Sequence, residues 1–117
     1  MGTNFTMTRG DSVSLSGTAT LSGDPYDLSG CLLWFTAKYR FTDADAAAVF
    51  QKAVGSGITV TSAAQGLFTV SILPADTLAV AKARTILVWD LQLRDASSRI
   101  YTLNSGNLVV NPDVTNA

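Results

Sequence analysis

The chain has no histidine, no glutamate, a single cysteine, three prolines, and no apolar run approaching the roughly 18 residues of a membrane-spanning helix. Each absence removes a class of chemistry. Without histidine the commonest general base is gone, and the Ser-His and Cys-His nucleophile pairs go with it. Without glutamate a glycosidase-type carboxylate pair would have to be two aspartates. One cysteine and no histidine cannot build a zinc site. Cys31 has no partner for an internal disulfide, so the fold does not depend on an oxidising compartment. It reads as a small buried apolar residue at the start of a strand. The N-terminus lacks the charged-then-apolar layout of a signal peptide, so the expectation is a chain made in cytoplasm and kept there or released by lysis.

Charge is also scarce, at 15% of residues with a net charge of -1. The eight basic residues are scattered, which excludes the electrostatic footprint needed for nucleic acid or an anionic membrane. All nine acids are aspartates. Aspartate favours caps and turns, whereas the missing glutamate is the good exposed-helix acid, so surface helices lack material. What remains is 47% hydrophobic and 117 residues long, enough for one domain (1–117) that buries roughly two-thirds of its unfolded surface.

The positive signal is alternation. From Ser12 to Ser22, Val13, Leu15, Gly17, Ala19 and Leu21 share one face, and Ser and Thr share the other. This is a strand with a core side and a solvent side. Phe5–Thr8 forms a short strand before it, joined through the turn Arg9-Gly10-Asp11. Gly23-Asp24-Pro25-Tyr26-Asp27 is a dense turn cluster. Leu32–Tyr39 then reads as a central strand, with Leu33, Phe35, Ala37 and Tyr39 on one side. Asp43 could cap a helix through Ala44–Ala48, but Val49–Val54 reads better as a strand.

Gly55-Ser56-Gly57 predicts a hairpin turn into Ile58–Thr61, and Gln65-Gly66 a turn into a strand with Phe68, Val70 and Ile72 inward. Pro74 opens a helical turn running to about Ala81. Thr85–Arg94 is the strongest later strand, with Leu87, Trp89, Leu91 and Leu93 facing one way. Asp95–Ser98 closes a hairpin into Arg99–Leu103. Asn104-Ser105-Gly106-Asn107 turns again into Leu108–Val110, and Asp113–Ala117 is a polar, flexible tail. Seven to nine short strands and at most one helical turn predict an all-β fold, an antiparallel immunoglobulin-like β-sandwich, with a small barrel as the architectural alternative.

Candidate sites are sparse, and no catalytic, cofactor-binding or metal residue is assigned. Asp43 and Asp45 are the one close acid pair, and an enzyme reading survives only if they bind metal; they read as a solvated loop. Asp24 and Asp27 read as turn formers. Arg9-Gly10-Asp11 matches the integrin-type tripeptide, Asn4-Phe5-Thr6 a glycosylation sequon, and Met1-Gly2 with Thr6 a myristoylation pattern, each at a strength chance alone supplies. Trp89 alternates with core leucines and reads as core. Trp34 lies on the partly polar face of its strand and is the interface candidate.

The order of segments adds a resemblance. Met7-Thr8-Arg9-Gly10-Asp11-Ser12 followed by Pro25-Tyr26-Asp27-Leu28-Ser29-Gly30 resembles the start of the immunoglobulin-like domain of tailed-phage baseplate and virion-associated structural proteins. Gly66–Ile72 with Pro74-Ala75-Asp76-Thr77 is similar to the middle of that family. Trp89–Asp95, Tyr101-Thr102-Leu103, Gly106, Val110 and Asp113-Val114-Thr115 are similar to its end. The resemblance implies a non-enzymatic virion structural protein, made in the bacterial cytoplasm. Because this chain ends where the domain ends, the expectation is a free-standing capsid decoration or an adaptor at the tail, neck or baseplate. Its implied partners are other capsid or tail subunits, in a homo-oligomer or symmetric repetition, reached by edge strands, above all Phe5–Thr8 and the C-terminal tail. The alternative function is a carbohydrate-binding β-sandwich module using exposed Trp34 and Tyr26.

Overall fold

The alternating apolar positions become one wall-to-wall interior. In the computed structural model, which describes residues 4–21 and 23–114, ten strands are joined by short links. They are β1 (Phe5–Thr8), β2 (Val13–Thr18), β3 (Thr20–Leu21), β4 (Asp24–Pro25), β5 (Leu32–Lys38), β6 (Phe50–Val54), β7 (Gly57–Ser62), β8 (Leu67–Ile72), β9 (Thr85–Arg94) and β10 (Ile100–Asn111). Helix is confined to a 3₁₀ turn at Asp45–Ala47 and a four-residue helix α1 at Pro74–Thr77. The helix that Asp43 could cap through Ala44–Ala48 is therefore only a 3₁₀ turn at Asp45–Ala47 without a side-chain cap, and the strand expected from Val49 starts at Phe50.

Eight of the strands form a single mixed sheet in the order β1-β10-β9-β5-β6-β7-β8-β2, curled until it is nearly a closed barrel. Leu33, Leu87, Leu93, Leu108 and Val110 from one half meet Ile58, Val70 and Ile72 from the other, all essentially without solvent contact. Each such side chain contributes about 1.5–3 kcal/mol on burial. β5 is central, between β9 and β6, as its covered faces suggested. Tyr39 departs from that pattern: it lies past the strand end and is exposed.

Two pairings are parallel where antiparallel ones were expected. β1 runs parallel to β10, from Phe5 opposite Leu108 to Thr8 opposite Asn111. Parallel neighbours need a long connection, and nearly the whole chain lies between these two. The second case is local. β6 and β7 share two parallel rungs, Ala53 opposite Gly57 and Val54 opposite Ile58. No crossover fits between them, so the predicted hairpin is instead one tight coil. Ser56 N–H donates to Ala53 O at 2.8 Å, and Gly55 N–H donates to Ile58 O at 3.0 Å. Gly55 (φ 85°) and Gly57 (φ 100°) supply the left-handed backbone this coil demands. It carries the chain from one half of the sheet to the other.

Other expectations fail for similar reasons of tertiary pairing. The alternating run from Ser12 leaves the β8 ladder at Ala19, which is buried. Ala19 N–H donates to Gly66 O, and its carbonyl accepts from Tyr26 N–H, both at 2.8 Å. The chain then turns into the separate β3–β4 hairpin. The turn expected at Asn104–Asn107 is absent: β10 runs unbroken from Ile100 to Asn111, with one bulge between Thr102 and Asn104. The long neighbour β9 offers partners along the whole segment, and that ladder overrides the turn propensity of Asn, Ser and Gly. Nor is Asp113 part of a loose tail, because its carboxylate is held by Arg9.

Gly66 marks the tightest crossing. Its φ is +71°, and an added Cβ would lie 2.6 Å from Ala19 O and 2.7 Å from Tyr26 O, both backbone atoms that cannot swing aside. Gly66→Ala is expected to lower unfolding stability by about 1–3 kcal/mol. Urea titration followed by tryptophan fluorescence checks it; a variant matching the parent would mean that the crossing opens freely.

Candidate functional site

Two surfaces and one buried knot gather the polar and apolar groups left over from the core. The first surface is the outer face of β1-β10-β9-β5-β6. Cross-strand register lines up Leu32, Arg94 and Ile100, then Trp34, Gln92 and Thr102, then Thr36, Asp90 and Ser105. Leu32 and Ile100 are exposed, while Trp34 is half-buried. Trp34, Thr36, Lys38, Gln51, Asp90 and Gln92 line a shallow groove of about 470 Å³.

Most of the groove's polar groups are occupied with each other. Gln51 Nε2 donates to Thr36 Oγ1 at 3.0 Å. Lys38 Nζ lies 2.7 Å from Asp45 Oδ1 and donates to the Asp43 carbonyl at 2.9 Å. Burial raises the Asp90 carboxyl above its usual range, helped by Asp45 and opposed by the charge of Lys38. This arrangement offers hydrogen bonds and one aromatic face. It presents no nucleophile with a base beside it. The close acid pair is accounted for: Asp45 takes Lys38, and Asp43 Oδ2 accepts Arg40 N–H at 3.2 Å. Among the described residues no three His, Cys, Asp or Glu side chains come together as metal ligands.

The second surface is the seam where the curled sheet stops short of closure. Here Phe5, Leu15, Gly17, Phe68, Trp89 and Asn104 line a slot of about 220 Å³. Trp89 is core, 7% exposed, stacked on Phe35 at 5.1 Å and edge-on to Phe5 at 5.8 Å. Its indole Nε1 is buried without a hydrogen-bond partner. A buried N–H in that state is costly, so the slot wall carries unspent polarity.

The knot is built on Arg9. Its Nε donates to Val80 O at 2.7 Å, its Nη2 donates to Leu78 O at 2.6 Å, and its Nη1 lies 3.1 Å from Asp113 Oδ1. Gly10 N–H adds a bond to the fully buried Thr77 hydroxyl at 2.8 Å. One guanidinium thus ties the end of β1, the loop after α1 and the residues after β10. Desolvation pushes the Asp113 carboxyl up, but the Arg9 hydrogen bond, its own backbone N–H and the charges of Lys82 and Arg9 outweigh it. The group is held below the usual carboxylate range. Nearby, Lys52 Nζ lies 2.6 Å from Asp76 Oδ2, which also accepts Leu73 N–H at 2.7 Å, pinning β6 to the start of α1.

A scan against protein-family models and a comparison with curated proteins find no match to this chain. The residues themselves must therefore carry the assignment.

Several sequence candidates resolve on these contacts. The Arg9-Gly10-Asp11 tripeptide spends its guanidinium inside the domain, so it cannot be offered to a receptor. Asn4 uses its side-chain carbonyl to accept Asn107 N–H at 2.9 Å. The Met1-Gly2 pattern, Ser22 and residues 115–117 lie outside the described residues. Asp27 makes the expected turn, accepting Ser29 N–H at 2.9 Å; hydrogen bonding from the Ser29 side chain, then from its backbone N–H, lowers the Asp27 pKa, and Asp24 is exposed. Cys31 is only partly buried and precedes β5 by one residue. Burial, then Asp95 and Asp27, pushes its thiol up, away from the reactive thiolate.

Trp34 and Tyr26 do not share a platform. Trp34 is on the outer face, whereas Tyr26 packs edge-on against Tyr101, whose register partner Leu93 faces the core. Sequence reasoning missed the Arg9 and Lys52 pairs. Their partners lie far along the chain, and an isolated charged residue carries no mark of which distant carboxylate it will meet.

Arg9→Ala is expected to lower the melting temperature by roughly 5 °C or more, while the exposed Arg84→Ala leaves it nearly unchanged. Calorimetry of both variants checks this. Asp113 also sets an acid limit. A carboxyl held below its unfolded value stabilises the fold above that value and loses its contribution as pH falls through the folded one. The stability gap between the parent and Asp113→Asn should therefore be full near neutrality and close as pH drops below about 4. A gap that stays constant across that window in pH-resolved urea unfolding would contradict the pairing.

Proposed function

We propose that this chain is a non-enzymatic structural subunit of a tailed-phage particle. It is an immunoglobulin-like domain that docks on neighbouring capsid or tail proteins through its outer sheet face and sheet edges. The observation that carries the reading is strand order. β10-β9-β5-β6 and β2-β8-β7 follow the G-F-C-C′ and B-E-D orders of an immunoglobulin-type sandwich, with the β6–β7 coil joining the two layers. The turn between β8 and β9 holds the only α-helix among the described residues.

The segments resembling phage virion domains fit the reading in a second way. Met7–Ser12, Pro74–Thr77 and Asp113 are far apart in sequence, yet Arg9, Gly10, Thr77 and Asp113 bond within one knot. Their shared order then has a structural cause: these residues hold the frame together. The half-buried Trp34 beside exposed Leu32 and Ile100 gives the outer face apolar contact area, and its carboxamides and hydroxyls give it a polar surround. Low net charge suits a subunit packed at high density among copies of itself.

Quantitative mass spectrometry of purified particles tests the reading. A fixed, symmetry-compatible copy number per particle is the expected result. Absence of the chain from intact, infectious particles would overturn it. If the outer face docks, Trp34→Glu should lower incorporation into particles severalfold while leaving the isolated chain folded.

A further inference from the structure

β2 ends the curled sheet, and among the described residues it pairs with β8 alone. Natural edge strands avoid further pairing by being very short, carrying charge or proline, or bulging. Val13–Thr18 has none of these devices: its six residues are uncharged, and its register with β8 runs without interruption.

The phase of its backbone is legible. Ala19 lies one rung beyond the Thr18–Leu67 pair, and its N–H donates to Gly66 O at 2.8 Å. Bonding direction alternates along an antiparallel strand, so Val13, Leu15 and Gly17 bond towards β8. Ser14, Ser16 and Thr18 turn their N–H and C=O groups to the open side.

We infer that this edge accepts the same edge of a second copy, antiparallel, about a two-fold axis at Ser16. Residues that face each other then sum to 32, and side chains on both strands keep their inward or outward sense. Ser16 meets Ser16, and Ser14 meets Thr18, as hydrogen-bonded pairs whose hydroxyls line the outer face. On the inner face Leu15 of each copy lies opposite Gly17 of the other, a large side chain against none. There it packs beside the Phe68 ring, which already lies under Gly17, at the mouth of the seam slot that Trp89 lines. Charge favours the match as well. The slot lining and β2 carry no ionisable group, so no like charges meet across the paired rungs. A two-fold contact of this kind closes both open edges at once. The inference goes beyond the particle reading and holds or fails independently of it.

Sedimentation of the full chain, up to about 1 mM, tests it. The expected result is a monomer–dimer equilibrium that salt hardly moves. Ser16 is exposed and gives up only one solvent-exposed hydrogen bond, to Thr69 Oγ1 at 3.2 Å, so Ser16→Lys and Ser16→Asp should keep the parent's circular dichroism and melt within a few degrees of it. Each substitution brings like charges across the axis and should weaken self-association by about fivefold or more. An equal mixture of the two variants should recover a heterodimer. A parent that stays monomeric throughout, a dimer that survives both substitutions, or a mixture that fails to associate would each overturn the proposal.

Discussion

A single sheet has to supply both walls of the core, and that constraint governs the rest of the molecule. Leu33, Phe35, Leu87 and Leu93 can leave water only if Ile58, Phe68, Val70 and Ile72 come round to meet them. The chain must therefore reverse its wall partway along. It does so at the Gly55–Gly57 coil, where two left-handed glycines allow β7 to depart without forming a hairpin with β6. Once the wall has turned, Ala19 and Gly66 can cross at backbone contact, and β2 is left as the free margin of the sheet.

Burial alone would leave the ends of this curl loose. Arg9 holds them, since one guanidinium reaches two carbonyls of the loop after α1 and the carboxylate of Asp113. Lys52 and Asp76 perform a similar task between β6 and α1. Both pairs are largely withdrawn from solvent. They are worth more for the geometry they impose than for Coulomb energy, because desolvation offsets much of the attraction. The polar residues of this chain are accordingly spent on holding the frame. The remaining surface mixes hydroxyls and carboxamides with scattered charged groups such as Arg40, Arg84 and Arg99 and a few exposed apolar side chains.

How far the fold could be read from sequence follows from the range of each interaction. Strands β5, β8 and β9 were legible because the period of two is a local property, visible over six to ten residues. The segment at Asn104–Asn107 was misread because its turn propensity is local while the ladder that overrules it belongs to β9. The hairpin at Gly55–Gly57 was misread because glycine signals a reversal without specifying its hand or its partner. The half-buried position of Trp34 on the outer face was legible through the mixed polarity of its strand. The knot was not: Arg9 and Asp113 are 104 residues apart.

Alternation by itself determined that the chain is all-β, which residues turn inward, and that Trp89 belongs to the core, because side-chain direction along a strand follows from local backbone geometry. Its composition likewise excluded Ser-His and Cys-His nucleophile pairs, His/Cys zinc sites and an internal disulfide before any fold was known. Only the tertiary structure decided that β1 and β10 run parallel, that β2 is the open margin, and that an apparent recognition tripeptide is an internal clasp. Those outcomes depend on which distant segments meet, and pairing between distant segments is a property of the closed sheet that no local window contains.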